Sequence, residues 1–436
     1  MRGGMRKGDR LNVWMNGSHV GVFTSLKRGV AFEYDWNAPR ISFSLPKDGE
    51  WREDAPENFL ENLLPESGAA KYAMMQAVGA KSQESFDLLE NVDSAGALVF
   101  SRNDEMPTIA SVPPAEATDD EIATRIAAVK RTPDSWFVRN KGARFSLAGA
   151  QGKFSLSRVG DEWVWPNGAV PSTHILKPAG IYDADEVEHA TMMLSKMIGI
   201  ETPESDIQEF NGQQTYIVER FDRRIENGMP VRLPMEDMVQ ALGLPSSEKY
   251  KVSAVDTLTT LRKMDPSGRL GEEWLRRLAF NVAVDNCDAH ARNYSVMPTS
   301  LDGESWKLSP AYDVMTTTVW PGLTDKLAMP FSGAEHASEV TPDHYARLAD
   351  YCGFDPDTAR DEAIRISDLV RLNAHTAYMD LDPELQAKLL DKIRVANSGM
   401  PSPQHFVLPD NGMVYVVSHD RDGHPVHDYW RRKPSR

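Results

Sequence analysis

Residues 284–297 read VDNCDAHARNYSVM. Within nine positions lie Asp285, Asn286, Asp288, His290, Arg292 and Asn293, between the apolar flanks LAFNVAV (278–284) and YSVM (294–297). A solvent loop needs no such flanks, and a buried segment does not tolerate unpaired charges. The pattern therefore predicts a polar site held between two buried segments. Asp288 and Asn293 stand five residues apart, and Asp313 follows as a single acid in the apolar stretch LSPAYDVMTT (308–317). Two or three oxygen ligands on separate segments suit Mg²⁺, with water and phosphate supplying the rest. Phosphoryl transfer adds a carboxylate that positions the attacking hydroxyl. An Asp, an Asn five residues on and a later metal-binding Asp follow each other in protein kinases in this order and spacing.

Two further kinase parts lie upstream. Lys177, in the short strand pattern THILKP (173–178), supplies a cation for nucleotide phosphates. Before it, SLAGAQGKFS (146–155) places a glycine-containing loop between two expected strands, RFSL and KFSLSRV. The loop is neither G-x-G-x-x-G nor a Walker motif, and by itself reads as a hairpin. Glu188 has two readings at this stage: a partner for Lys177, or the third residue after Asp185 in a capping arrangement. His290 has no second histidine at ligand spacing and HExxH is absent, so a zinc enzyme is not expected.

The chain has 436 residues, 41% hydrophobic and 26% charged, and a formal net charge of −16. That length fits two or three lobes. The acidic balance argues against a surface made for nucleic acid or anionic membrane, local patches aside. Two distant cysteines, Cys287 and Cys352, build neither a disulfide framework nor a Cys-rich zinc motif. No signal-peptide core or run of about 20 apolar residues stands in the chain, and a cytoplasmic protein is expected.

LNVWMNGSHVGVF (11–23) predicts a hairpin around Asn16-Gly17, with FEYD and RISFSLP as further strands and FLENLLPESGAAKYAMMQAV (59–78) as helix broken at Pro65. Helix is also expected in EIATRIAAVKRT, and in DADEVEHATMMLSKMIGI with Val187, Ala190, Leu194 and Met197 on one stripe. QQTYIVERF (213–221) reads as a strand, and after residue 235 the patterns are helical. The expected organisation is an α+β subdomain over 1–110, a β-rich nucleotide-binding lobe over 111–235 and a helical lobe with the catalytic loop over 236–436.

The stretches FSLAGAQGK, THILKP, VERFDRR, RLPMEDMVQALGLPSSEKY, DAHARNYSV, SPAYDV and KLAM, in this order, resemble the HipA family of bacterial serine/threonine kinases, as do VWMNGSHVG, ISFSLP, FLENLLPES and SFDLL nearer the N-terminus. The family's members are the toxins of HipA–HipB toxin–antitoxin modules. The resemblance implies a two-lobed protein-kinase-like α+β fold: a β-rich N-terminal lobe, an added N-terminal subdomain and an all-helical C-terminal lobe. It implies Asp288 as catalytic base, Asn293 and Asp313 as Mg²⁺ ligands, and Lys177 on the ATP phosphates. The loop Ala148, Gly149, Ala150, Gln151, Gly152 and Lys153 would cover those phosphates. Glu219 and Phe221 would meet adenine at the hinge, His290 and Tyr312 would line the nucleotide site, and Ser146 would be autophosphorylated. Gly152 stands where the family has a glutamate. The implied partners are a HipB-like helix-turn-helix antitoxin, DNA through the antitoxin complex, and an aminoacyl-tRNA synthetase as substrate. The rival readings are a lipid or small-molecule kinase and a non-catalytic co-repressor that grips an antitoxin.

Overall fold

The computed structural model describes residues 8–108, 115–135, 143–147, 149, 151–300 and 305–402, and the backbone of 413–416, 419–421, 424–426 and 429–432. Strands β1 (Arg10–Met15) and β2 (Ser18–Ser25) form the expected hairpin, with Asn16 at φ 50° and Gly17 at φ 84°. Two positive φ values are what a type I′ turn requires. β3 (Val30–Tyr34) pairs with β2. Helices α1 (Ala55–Asn62) and α2 (Gly68–Val78) are separated around Pro65, and the Ser67 hydroxyl caps α2 by accepting from the amides of Ala69 and Ala70. After α3 (Ser85–Leu88), β4 (Leu98–Ser101) closes the sheet in the order β3-β2-β1-β4. The segment RISFSLP is not a strand. Its hydrogen-bonding groups serve a distant carboxylate instead: Ser42 Oγ donates to Glu236 Oε2 at 2.6 Å and the Phe43 amide to Oε1 at 2.7 Å.

The second sheet contains β5 (Ala115–Glu116), β6 (Phe154–Val159), β7 (Glu162–Trp165), β8 (His174–Lys177), β9 (Ser205–Phe210) and β10 (Gln213–Glu219), ordered β5-β7-β6-β8-β10-β9. Helix α4 (Asp119–Arg131) follows β5 behind a Thr118–Glu121 capping box, and α5 (Ala184–Met197) follows β8. Among the described residues, RFSL forms no strand ahead of the glycine loop. The chain enters it through a single parallel bridge from Phe145 to Asp93. On α5, Val187, Ala190 and Leu194 are buried as expected, but Met197 is largely exposed; the helix ends there, and Ile198 and Ile200 fill the core in its place.

The chain then forms the ribbon β11 (Arg223–Glu226) and β12 (Met229–Arg232), followed by β13 (Glu236–Asp237) and the single turn α6 (Met238–Ala241). Helices α7 (Ala254–Met264) and α8 (Arg269–Ala283) lead to the polar loop. The C-terminal lobe is not all helical. β14 (Ser295–Pro298) leaves the loop between β13 and β15 (Trp306–Leu308), so YSVM satisfies its buried backbone by pairing on both sides. A ribbon of β16 (Lys326–Phe331) and β17 (Ala334–His336) precedes α9 (Pro342–Tyr351), α10 (Pro356–Ala377) and α11 (Pro383–Ala396). Beyond residue 412 two further short ribbons pair. Among the described residues no helix is long and apolar enough to cross a membrane.

Two cores result. One joins the N-terminal sheet and α1–α4 to the β6–β10 sheet, and the other joins α5 to the helices of the C-terminal lobe. The cleft between them carries the polar residues.

Two consequences are testable. A Cβ on Gly152 would lie 2.8 Å from Val129 Cγ1 and 3.0 Å from Pro133 Cα. The close seat of α4 against the loop thus excludes the glutamate of the family pattern. Gly152→Glu is expected to lower the unfolding free energy by about 1–3 kcal/mol in urea titration. Glu236 is fully enclosed, and burial pushes its carboxyl up to about 7 against the opposing bonds from Ser42 and Phe43. The native state then binds this proton more tightly than the unfolded chain does. Stability is therefore lost as pH rises from about 4.5 to about 7, by on the order of 3 kcal/mol. Unfolding measured at pH 5 and pH 8 is expected to show a smaller difference in Glu236→Gln than in wild type.

Candidate active site

The loop after α8 is built largely from its own polar groups. The Thr318 hydroxyl donates to Asp285 Oδ2, and the Cys287 amide donates to Thr317 Oγ1 at 2.9 Å. Asn286 accepts from the Asp288 amide at 3.1 Å and donates to Asn281 Oδ1 at 2.7 Å. Asn293 Nδ2 closes the loop on the Asp288 carbonyl at 2.9 Å. Arg292, buried, reaches out of the loop to Asp237 Oδ2 at 3.0 Å, Glu66 Oε1 at 2.9 Å and the Asn62 carbonyl at 2.6 Å. Asp285, Asn286 and Arg292 thus hold the loop's shape. Asp288, His290 and Asn293 face a cavity of about 280 Å³.

The opposite wall carries the cations. Lys177 Nζ, on β8, lies 2.5 Å from Glu188 Oε1 on α5 and 2.5 Å from Asp313 Oδ1. Glu188 is therefore an ion-pair partner, and α5 has no side-chain cap at its N-terminus. Burial alone would lower the Lys177 ammonium, but Asp313 and Glu188 outweigh it and hold it well above the usual lysine range. Asp313, at φ 58°, shows the reverse: burial would raise its carboxyl, and Lys177 and Lys153 hold it well below the usual carboxylate range. Its side chain remains 30% exposed, facing the cavity. Burial pushes Lys153 down to about 8, Lys177 acting in the same sense and Asp313 against it. The loop backbone makes room for this lysine. Gly149 sits at φ 102°, and a Cβ there would stand 2.8 Å from Lys153 Nζ.

At the hinge end, Phe221 follows β10, and its ring centroid lies 5.3 Å from that of Tyr312. The Tyr312 hydroxyl is buried, donating to the Arg292 carbonyl at 2.8 Å with Ser295 Oγ at 2.6 Å. Glu219 is exposed at the cavity rim. His290 is buried, its Nδ1 has no partner among the described residues, and burial lowers its pKa against the opposing Asp288 charge.

Gly149, Gln151, Lys153, Lys177, Glu219, Phe221, Asp288, His290, Asn293, Tyr312 and Asp313 all line this one cavity. Gly152 does not line it and packs against Val129 and Pro133. Ser146 lies outside it, fully buried, with Oγ donating to the Leu63 carbonyl at 2.6 Å. Ala148 and Ala150 fall outside the described residues. Sequence reasoning assigned no role to Glu66, Asp237, Lys249, Tyr250 or Arg292, all of which line the cavity. The motifs NLLPES and SSEKY were visible, but their contacts span 183–226 residues along the chain for Glu66.

Comparison with known proteins gives the family and the fold. Residues 145–374 match the HipA-like C-terminal domain, and residues 11–101 match the HipA N-terminal domain. A putative kinase, Y4mE, of Sinorhizobium fredii is 33% identical over 367 residues, covering 79% of this chain and 86% of the relative. The serine/threonine-protein kinase toxin HipA of Shewanella oneidensis is 28% identical over 325 residues, covering 69% and 72% of the two chains. The fold is that of HipA as solved in the Shewanella oneidensis complex of HipA, HipB and operator DNA, with a TM-score of 0.74, 24% identity and coverage of 89% and 99%. With both domain families present in order, and the kinase constellation gathered in a single cleft, the chain belongs to the HipA family of kinases.

Proposed function

We propose that the protein transfers the γ-phosphoryl group of Mg²⁺-bound ATP to a serine or threonine hydroxyl of a protein, with Asp288 as the base. One observation carries the reading. Asp288 opens onto the same cavity as Lys177, Lys153 and Asp313, and already accepts a hydroxyl donor, Tyr250, at 2.7 Å. Acceptor and phosphate sites are thus a single cleft apart. Asp288 would orient the acceptor hydroxyl and take its proton late in the transfer. Lys177 and Lys153 would meet the phosphates, with Gly149, Gln151 and the rest of the 148–153 loop covering them. Phe221, Glu219, Tyr312 and His290 would enclose the base.

The donor set suits a magnesium ion. Asp313 is an ionised carboxylate facing the cavity, and Asn293 adds a neutral oxygen there. Hard oxygen ligands of this kind, completed by phosphate and water, are the usual way a kinase holds Mg²⁺. When bound, the ion would neutralise phosphate charge. Phosphate groups would also relieve Asp313 of its direct contact with Lys177.

Family membership supports the biological reading: a toxin whose partner is a HipB-like helix-turn-helix antitoxin, contacting DNA through that antitoxin. The net charge of −16 leaves DNA contact to a basic partner. The proposed substrate is a cytoplasmic translation component, an aminoacyl-tRNA synthetase, whose phosphorylation would halt growth. Ser146 is the proposed site of self-phosphorylation. Its buried hydroxyl would first have to leave the Leu63 carbonyl, so modification would displace the segment leading into the phosphate loop. Phosphoserine carries about −1.5 to −2 charges and cannot return to that seat.

Asp288→Asn is expected to reduce phosphate transfer from labelled ATP by at least about 100-fold while leaving the unfolding midpoint in place. In nucleotide titrations, Asp313→Ala should lose more Mg²⁺-dependent ATP affinity than Asn293→Ala, since a full charge rather than a dipole is removed. After incubation with Mg²⁺–ATP, peptide mass spectrometry should find phosphate on Ser146 in wild type and none in Asp288→Asn. The Ser146-phosphorylated protein should bind ATP more weakly.

A further inference from the structure

We infer that Tyr250 is a positioning residue for the base: it occupies one oxygen of Asp288 and leaves the other for the acceptor hydroxyl. This rests on the reading of Asp288 given above. The phenol oxygen of Tyr250 donates to Asp288 Oδ1 at 2.7 Å, and among the described residues no other side chain donates to this carboxylate. A carboxylate on a loop, with half its surroundings solvent, rotates unless something holds it. One charge-assisted hydrogen bond is enough to select an orientation.

The phenol ring is itself held by two neighbours, and the backbone beside it is tied to the loop. Its ring meets His290 edge-on, with centroids 5.0 Å apart and planes at 82°. Lys249 Nζ stands 5.1 Å from the ring centroid and pairs with Glu66 Oε2 at 2.8 Å. The Lys249 carbonyl accepts from the Ala291 amide, inside the catalytic loop, at 3.4 Å. Tyr250 is 54% exposed, so burial does not impose the contact. It is a half-exposed aromatic ring kept in place by polar neighbours. Desolvation and the adjacent Asp288 charge hold the phenol above its ordinary pKa, so it remains a donor across the working pH range. Oδ2 of Asp288 has no protein partner among the described residues, which leaves a lone pair for an incoming hydroxyl. A gate would block the carboxylate, and this phenol covers only one of its two oxygens.

Glu66 brings the N-terminal domain into the arrangement. Through Lys249 it supports Tyr250, and through Arg292 it supports the loop that carries Asp288. Positioning of the base therefore passes through residues of three segments, and small misplacements at such a centre cost large factors in rate.

The test is Tyr250→Phe, which keeps the ring against His290 and Lys249 and removes only the hydroxyl. Initial rates of ADP release are read over a range of Mg²⁺–ATP with dephosphorylated casein present, and affinity for a non-hydrolysable ATP analogue is measured separately. The expected result is a fall in kcat of about tenfold or more, with the ATP KM and analogue affinity within about twofold of wild type. A merely structural role would move affinity and the unfolding midpoint along with kcat. An unchanged kcat overturns the proposal. A raised kcat overturns it in favour of a gate, and phosphate on Tyr250 in wild type overturns it in favour of an acceptor. Asp288→Asn run alongside separates the two levels. If that variant keeps wild-type turnover, the base itself is misassigned; if it is inactive while Tyr250→Phe is normal, only the positioning role fails.

Discussion

One buried carboxylate, Asp93, ties together the parts on which the cleft depends. It is completely enclosed and accepts from Arg223 Nη2 at 3.0 Å, Arg232 Nη2 at 2.9 Å and the Ser172 hydroxyl at 2.6 Å. Asp222, also buried, binds Arg220 and Arg223 at 2.7 and 2.8 Å. Burial would raise both carboxyls, and the surrounding guanidinium groups hold them below the usual carboxylate range. Such a cluster adds little net stability against a hydrophobic equivalent, but losing one member strands the others at a cost of several kcal/mol. It therefore enforces a single arrangement. The backbone of Asp93 pairs with Arg144 and Ser146, just before the phosphate loop, at 2.7 Å each. Its side chain meets Arg220 and Arg223, which stand on either side of Phe221 in sequence. The glycine loop's entry and the segment around Phe221 are both tied to the same residue of the N-terminal domain.

This explains why an N-terminal domain is built into a kinase. It supplies Asp93 to the glycine loop's entry and to the arginines beside Phe221, Leu63 to the seat of Ser146, and Glu66 to the polar loop after α8. The shared core of the two sheets makes the same point in apolar terms. A change at Ser146 would thus be felt at a turn that also grips Arg292, since Leu63 and Glu66 lie three residues apart.

The charges of the cleft alternate in sign across a few ångströms. Lys177 lies between two carboxylates, one buried and one open to the cavity. Lys153, with no comparably close carboxylate among the described residues, has its ammonium pushed down to about 8 by burial. On the proposal above, nucleotide phosphates would bring negative charge to the two lysines, and the magnesium ion bound with them a cation to Asp313. The unpartnered oxygen of Glu188 and nitrogen of His290 belong to the same picture.

The sequence by itself marked out the candidate site. Asp288, Asn293, Asp313 and Lys177 stood out because their types and order match what phosphoryl transfer would ask for, and because each sits in an apolar run that makes a charge conspicuous. The hairpin and the main helices were legible because their signals are local: Asn16-Gly17 acts within its own turn, and the apolar stripe of α5 repeats within the helix. The extended-looking RISFSLP and RFSL were misread as strands, since nothing local shows that their polar groups bond Glu236 and Asp93 far along the chain. The small sheet around YSVM escaped notice for the same reason, its partners being two- and three-residue strands with no period to detect. Only the tertiary structure decided whether Glu188 caps a helix or pairs with Lys177, why position 152 is glycine, and that Glu66, Tyr250 and Arg292 stand around the base. Each of these depends on which distant segment fills the space beside a side chain, and that is settled when the cores close.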